Sequence, residues 1–160
     1  MRVEYINPFV GSITSVFRTM LGCSLTRGEP YAKISAEPEY ELNGVVRLSG
    51  KAEGTVVLRL SWETARNLTA ALLRQRPSEI ETDVTDAVGE LANMVAGGAK
   101  AQLEQFALEA SLPTVTVGKD ADVEFPEGAT PICIPFESEL GPICLEVGLA
   151  EEPAEALVAV

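Results

Sequence analysis

The chain has 160 residues, 24 acidic against 12 basic, a net charge of −12, three cysteines and no histidine. That length suits one domain with a real core, and 46% hydrophobic with 22% charged residues describes a folded globule, not a disordered acidic tail. The acidic excess argues against nucleic acid as a partner. The missing imidazole removes Ser-His-Asp and Cys-His nucleophiles and histidine-ligated metal sites, so any chemistry falls to carboxylates, amides, hydroxyls or thiols.

No stretch approaches the ~20 apolar residues of a membrane span, and the N-terminus lacks the apolar core of a signal peptide. Cys23, Cys133 and Cys144 are odd in number and widely spaced, without a CxxC pair. They read as buried free thiols, and a cytoplasmic location without membrane attachment is expected.

In chain order, Asn7-Pro8 signals a helix start and Gly22 its C-cap, with Phe9, Ile13, Val16, Phe17, Met20 and Leu21 at helical spacing between them. Gly28-Glu29-Pro30 marks a turn, Tyr31 to Ser35 a short strand, and Pro38 a break. From Val45 the period becomes two: Val46 and Leu48, a turn at Gly50 to Gly54, then Val56, Leu58 and Leu60. That predicts a hairpin with one buried face. Ser61 can cap a helix carrying Ala65, Leu68, Ala71 and Leu72 up to Arg76-Pro77.

A long helix is predicted from about Asp83 to Ala110, ended by Ser111-Leu112-Pro113. Strands follow at Val115 to Val117, Ile132 to Phe136 and Ile143 to Leu149, the last two joined through Glu137-Ser138-Glu139. Cys133 and Cys144 fall opposite the apolar face of those strands, as candidate cross-strand neighbours. Asp120 to Gly128 reads as a polar loop. The expected architecture is α+β: an antiparallel β-sheet with helices packed on one face, in a single domain over 1–150 with a C-terminal tail over 151–160.

On the long helix, Asp86, Glu90, Asn93 and Gly97 are spaced by four, three and four residues, which places them within ~60° of one another. Val84, Val88, Leu91 and Val95 take the opposite side. A polar helix face is ordinarily a solvated one. Asn93 at mid-helix and the glycines Gly89, Gly97 and Gly98, each costing up to ~1 kcal/mol against alanine, set this face apart. They leave room either for an approaching partner or for close packing inside the domain.

The run Asp86-Ala87-Val88-Gly89-Glu90-Leu91-Ala92-Asn93-Met94-Val95-Ala96-Gly97 resembles the D/S-x₃-E-x₂-N-x₃-G signature of the CheC/CheX/FliY family of chemotaxis phosphatases. Tyr5-Ile6-Asn7-Pro8-Phe9 and the Leu48-Ser49-Gly50 and Glu53 to Leu58 hairpin look CheX-like in the same order. The resemblance implies a CheC-like or CheX-like fold and a phosphatase that hydrolyses the phospho-aspartate of a CheY-type response regulator. It further implies that Asn93 positions the attacking water, that Glu90 pairs with the regulator's lysine, and that Asp86 and Gly97 support them. Mg²⁺ would come from the phosphorylated partner, with no metal site or cofactor in this chain, and a homodimer would form through the sheet.

Phe9 to Gly22 can be laid beside Val84 to Gly97 without gaps, which sets Ser15 against Glu90 and Arg18 against Asn93. The spacing is kept but the chemistry is not, so one site per chain is expected. An alternative is a non-enzymatic CheC-like interaction module that binds a receiver domain or a flagellar switch component. In that reading Val57 and the face carrying Cys133 and Cys144 offer surface for pairing subunits. A third reading, Asp86 and Glu90 as ligands for Mg²⁺ or Ca²⁺, has too few donors for tight binding.

Overall fold

The computed structural model describes residues 3–32, 40–76, 81–118 and 123–151. Among these residues three helices, α1 (Val3–Leu21), α2 (Trp62–Leu73) and α3 (Val84–Ala101), lie on one face of an antiparallel sheet. The eight strands are β1 (Thr26–Arg27), β2 (Tyr31–Ala32), β3 (Leu42–Ser49), β4 (Ala52–Leu60), β5 (Glu109–Ala110), β6 (Thr114–Val117), β7 (Ile132–Glu137) and β8 (Ile143–Glu151). The central path runs β7-β8-β4-β3; β1 and β2 pair with β7 at one edge, and β5 and β6 pair with β3 at the other. The expected α+β arrangement is the one observed.

The core lies between sheet and helices. Val46, Val56, Val147 and Ile132 form one row across β3, β4, β8 and β7, and Leu42, Leu60, Ile143 and Phe136 form another. Phe9, Ile13 and Phe17 of α1 and Leu68 of α2 are fully buried against them. Each such side chain contributes roughly 1.5–3 kcal/mol by leaving water.

Several boundaries differ from the sequence reading. Helix α1 begins at Val3, not at Asn7, so Pro8 lies inside it. Burial of Tyr5 and Ile6 docks the first turn, with the Tyr5 ring edge-on to Phe106 at 5.2 Å, and this outweighs the hydrogen bond that proline forfeits. Gly22 ends the helix as expected, at φ 60°. Ser61 caps α2 by accepting from the Thr64 N–H at 3.1 Å, and the helix closes through Arg74 in the left-handed region.

Helix α3 stops at Ala101, nine residues short of the expected end. Burial of Leu103, Phe106 and Leu108 turns the chain back, the Phe106 carbonyl accepts from the Lys51 N–H at 2.7 Å, and β5 joins the edge of β3. Glu151 ends β8. The strand reading beyond Ala32, Pro38, Pro77, Asp120 to Asp122 and the tail after Glu151 lie outside the described residues.

The expected single buried face of the hairpin is also corrected: β4 is buried on both faces. On the outer face, Val57, Asn43, Cys133 and Cys144 are no more than 1% exposed, and Phe125 lies over Gly148 there. Val57 and the two cysteines are therefore inside the chain and offer no surface for pairing subunits. Arg59 donates to Asn43 Oδ1 and pairs with Glu146 Oε1 at 3.1 Å, while the Cys133 thiol donates to Glu146 Oε2 at 3.2 Å. Cys133 sits directly opposite Glu146 and Cys144 opposite Pro135, so the two thiols are diagonal neighbours, not a facing pair.

Candidate functional site on helix α3

Helix α3 is seated on β3 and its neighbours β4, β5 and β6 by small residues. A Cβ on Gly44 of β3 would come within 3.0 Å of Ala92 Cβ and 3.1 Å of Val88 Cγ1, so glycine is what lets the helix approach. Val84, Val88, Leu91 and Val95 are fully buried beneath it. Asp86, Glu90, Asn93 and Gly97 are all exposed on its opposite side. The separation of stripes read from the spacing is therefore present, and all four candidate residues share one outward ridge.

The glycines divide into two kinds. A Cβ on Gly98 would collide with Ser12 of α1, and one on Gly89 would touch Val115 of β6 at 3.4 Å. Those two serve packing inside the domain. Among the described residues, nothing lies within 4 Å of where a Cβ on Gly97 would stand. Only there does the absent side chain leave space open to an arriving surface.

Asp86 and Glu90 stand between two shallow depressions. One is walled by Leu72, Leu73, Gln75, Asp83 and Ala87, the other by Thr85, Gly89, Pro113 and Val115. Asn93 lies one turn further along. Its amide can both donate to and accept from a water, while the Glu90 carboxylate favours a cation. No group of three or more His, Cys, Asp or Glu among the described residues is placed to hold a metal ion.

Periodicity did not reveal the apolar flank beside Glu90, because Leu72 and Leu73 come from a different helix. It also missed the cluster of Arg59, Glu146, Asn43 and Cys133. Its one trace in the sequence was charge at positions whose strand neighbours on the same face are apolar.

The family model for chemotaxis phosphatase CheX matches residues 42–137. The chain belongs to the CheX family. The CheY-P phosphatase CheX of Thermotoga maritima is 28% identical over 127 residues, 78% of this chain and 82% of its own length. A CheC-like superfamily protein from Shewanella sp. PV-4 superposes with a TM-score of 0.82 at 30% identity, covering 93% of this chain and 99% of that one. The same fold occurs in the CheX of a CheX–CheY–BeF₃–Mg²⁺ complex from Borrelia burgdorferi, with a TM-score of 0.78 at 23% identity over 94% of this chain and all of that one. Among the described residues no helix is long and apolar enough to cross a membrane.

Proposed function

We propose that this CheX-family chain hydrolyses the phospho-aspartate of a CheY-type receiver domain in chemotaxis signalling, in the cytoplasm. The observation that carries the reading is the outward pair Glu90 and Asn93, one turn apart on a helix whose opposite side is fully buried. Membership of the family supports it, as does the Thermotoga relative that acts on CheY-P.

An acyl phosphate is already activated. Its leaving group is a carboxylate, which departs without needing a proton, so the catalyst has to place a water in line and tolerate the charge on the phosphoryl oxygens. Asn93 accepts one hydrogen bond from that water and so aims a lone pair at phosphorus. Attack breaks the bond between phosphorus and the aspartyl oxygen, leaving inorganic phosphate and the free carboxylate. Glu90 repels a phosphoryl group and instead pairs with a lysine beside it on the receiver. Asp86 supports the charge of this ridge, and Gly97 keeps its far end clear. Mg²⁺ belongs to the receiver's own carboxylates. A homodimer in this reading forms through the sheet, away from the buried Val57, Cys133 and Cys144; its edge strand β6 carries exposed Thr114, Thr116 and Val117.

Phosphate release from phosphorylated CheY tests the reading. Asn93→Ala should lower turnover by about 10²–10³-fold, the usual loss for one positioned hydrogen-bonding group, with affinity near that of the parent. Glu90→Ala should lower both. An Asn93→Ala protein as active as the parent would remove the water-positioning role. Receiver binding with no acceleration of phosphate loss would favour the non-enzymatic interaction module.

A further inference from the structure

The two long helices lie antiparallel with a definite register. Tyr5, near the start of α1, packs on Phe106 beyond the end of α3. Seven residues on, the Ser12 hydroxyl donates to the Val95 carbonyl at 2.6 Å and abuts Gly98. Both helices rise about 1.5 Å per residue, so six further residues along α1 match six residues back along α3. Arg18 thereby comes level with Gly89 to Ala92, and Ser15 with Asn93.

The face is fixed as well. Gly11 and Ser15 line an outward groove together with Gly98 and Ala101. Arg18 follows them at spacings of seven and three, on the same stripe, and is exposed. No hydrogen bond or ion pair holds it among the described residues. Lys100, the cation of α3 itself, is ten residues beyond Glu90, about 15 Å along the helix.

We propose that Arg18 is a docking residue for the anionic rim of the receiver's acyl-phosphate pocket, a role that rests on the phosphatase reading above. An aspartyl phosphate among carboxylates presents negative charge, and α3 brings Asp86 and Glu90 towards it. The receiver's lysine and Mg²⁺ offset part of that charge, and a cation carried beside the ridge offsets more of it. Arg18 supplies the cation from the neighbouring helix, in a planar fork suited to carboxylate or phosphoryl oxygens. With Glu90 seeking a cation on the partner and Arg18 an anion, the two opposite charges fix the orientation of docking. The position that aligns with Asn93 thus contributes electrostatics where it has no amide.

The experiment measures affinity for CheY loaded with beryllofluoride and Mg²⁺, at low and high salt, beside steady-state phosphate release. Arg18→Glu should weaken binding by about tenfold and Arg18→Ala by about threefold, with Arg18→Lys close to the parent. The difference between Arg18→Glu and parent should shrink as salt rises, turnover at saturating substrate should stay within about twofold, and the unfolding midpoint should stay near the parent's for Arg18→Ala and fall modestly for Arg18→Glu, which sets an anion in the last turn of α1. Arg27→Ala, on β1 at the sheet edge, is the neutral control. The inference is overturned if Arg18→Glu binds as tightly as the parent at low salt, or if Arg27→Ala weakens binding as much as Arg18→Ala. If the parent binds and hydrolyses while Arg18→Glu is unaffected, only the role of Arg18 falls. If the parent does neither, the phosphatase reading falls with it.

Discussion

Gly98 of α3 stands against Ser12 of α1 with no room for a methyl group between them, while the Ser12 hydroxyl holds the Val95 carbonyl at 2.6 Å. This contact sets how closely the two helices lie. It also separates two adjacent glycines into opposite roles.

Gly98→Ala should destabilise the fold by about 1–3 kcal/mol, as overpacking does, and the unfolding midpoint in urea should fall. Gly97→Ala should do the reverse, adding up to ~1 kcal/mol through helix propensity because its Cβ meets nothing. The stabilised Gly97→Ala protein should nevertheless lose affinity for phosphorylated CheY, since the new methyl occupies the open end of the ridge. Paired urea and binding measurements on the two variants check both halves.

The cluster on the outer face of the sheet gives a second expectation. Glu146 is 1% exposed and Arg59 6%, and Arg59 Nε has no hydrogen-bond partner. Glu146→Gln leaves a buried guanidinium without its counter-charge and should cost about 3–5 kcal/mol. Replacing Arg59 and Glu146 together by Leu and Met should cost much less than the sum of the single changes. A double-mutant cycle in urea reads the difference.

Cys133 sets a third. Its hydrogen bond with Cys144, its burial and the nearby Glu146 charge all push its thiol far above the ordinary value of 9.0. The folded chain therefore keeps this thiol protonated where the unfolded chain ionises it. The resulting stability is fully present below about pH 9 and declines as pH rises above it, by at most ~1.4 kcal/mol per pH unit. Cys133→Ala should show a shallower decline between pH 9 and 10.5 than the parent. Iodoacetamide should label Cys133 only on unfolding.

The capping of α2 yields a fourth. Ser61→Ala removes the acceptor for the Thr64 N–H and should cost about 1 kcal/mol, with Ser61→Asp close to neutral. Thermal unfolding of the three proteins resolves this.

Where a stripe was long and regular, the sequence was enough: α3 turns Val84, Val88, Leu91 and Val95 inward and Asp86, Glu90, Asn93 and Gly97 outward, as their spacing requires. Local signals failed where distant burial competed with them. Asn7-Pro8 was overruled by Tyr5 meeting Phe106, a partner about a hundred residues away. The helical reading past Ala101 failed because Leu103, Phe106 and Leu108 are apolar for the sake of the sheet edge, not of a helix face. One buried face was expected for the hairpin because alternation reports the contrast between faces. In β4 both faces are buried, and Arg59 imitates a solvent residue. For the candidate site, the outward placement of Glu90 and Asn93 was legible within one helix. The placing of Arg18 level with them was not, because it depends on how α1 registers against α3.

The seat of α3 over Gly44 has a consequence for control. The helix that carries Glu90 and Asn93 rests on β3 and β4 with Val84, Val88, Leu91 and Val95 fully buried, so moving its backbone would open the core beneath it. On the phosphatase reading, a competitor laid across the exposed ridge would switch this surface off, and its withdrawal would restore it.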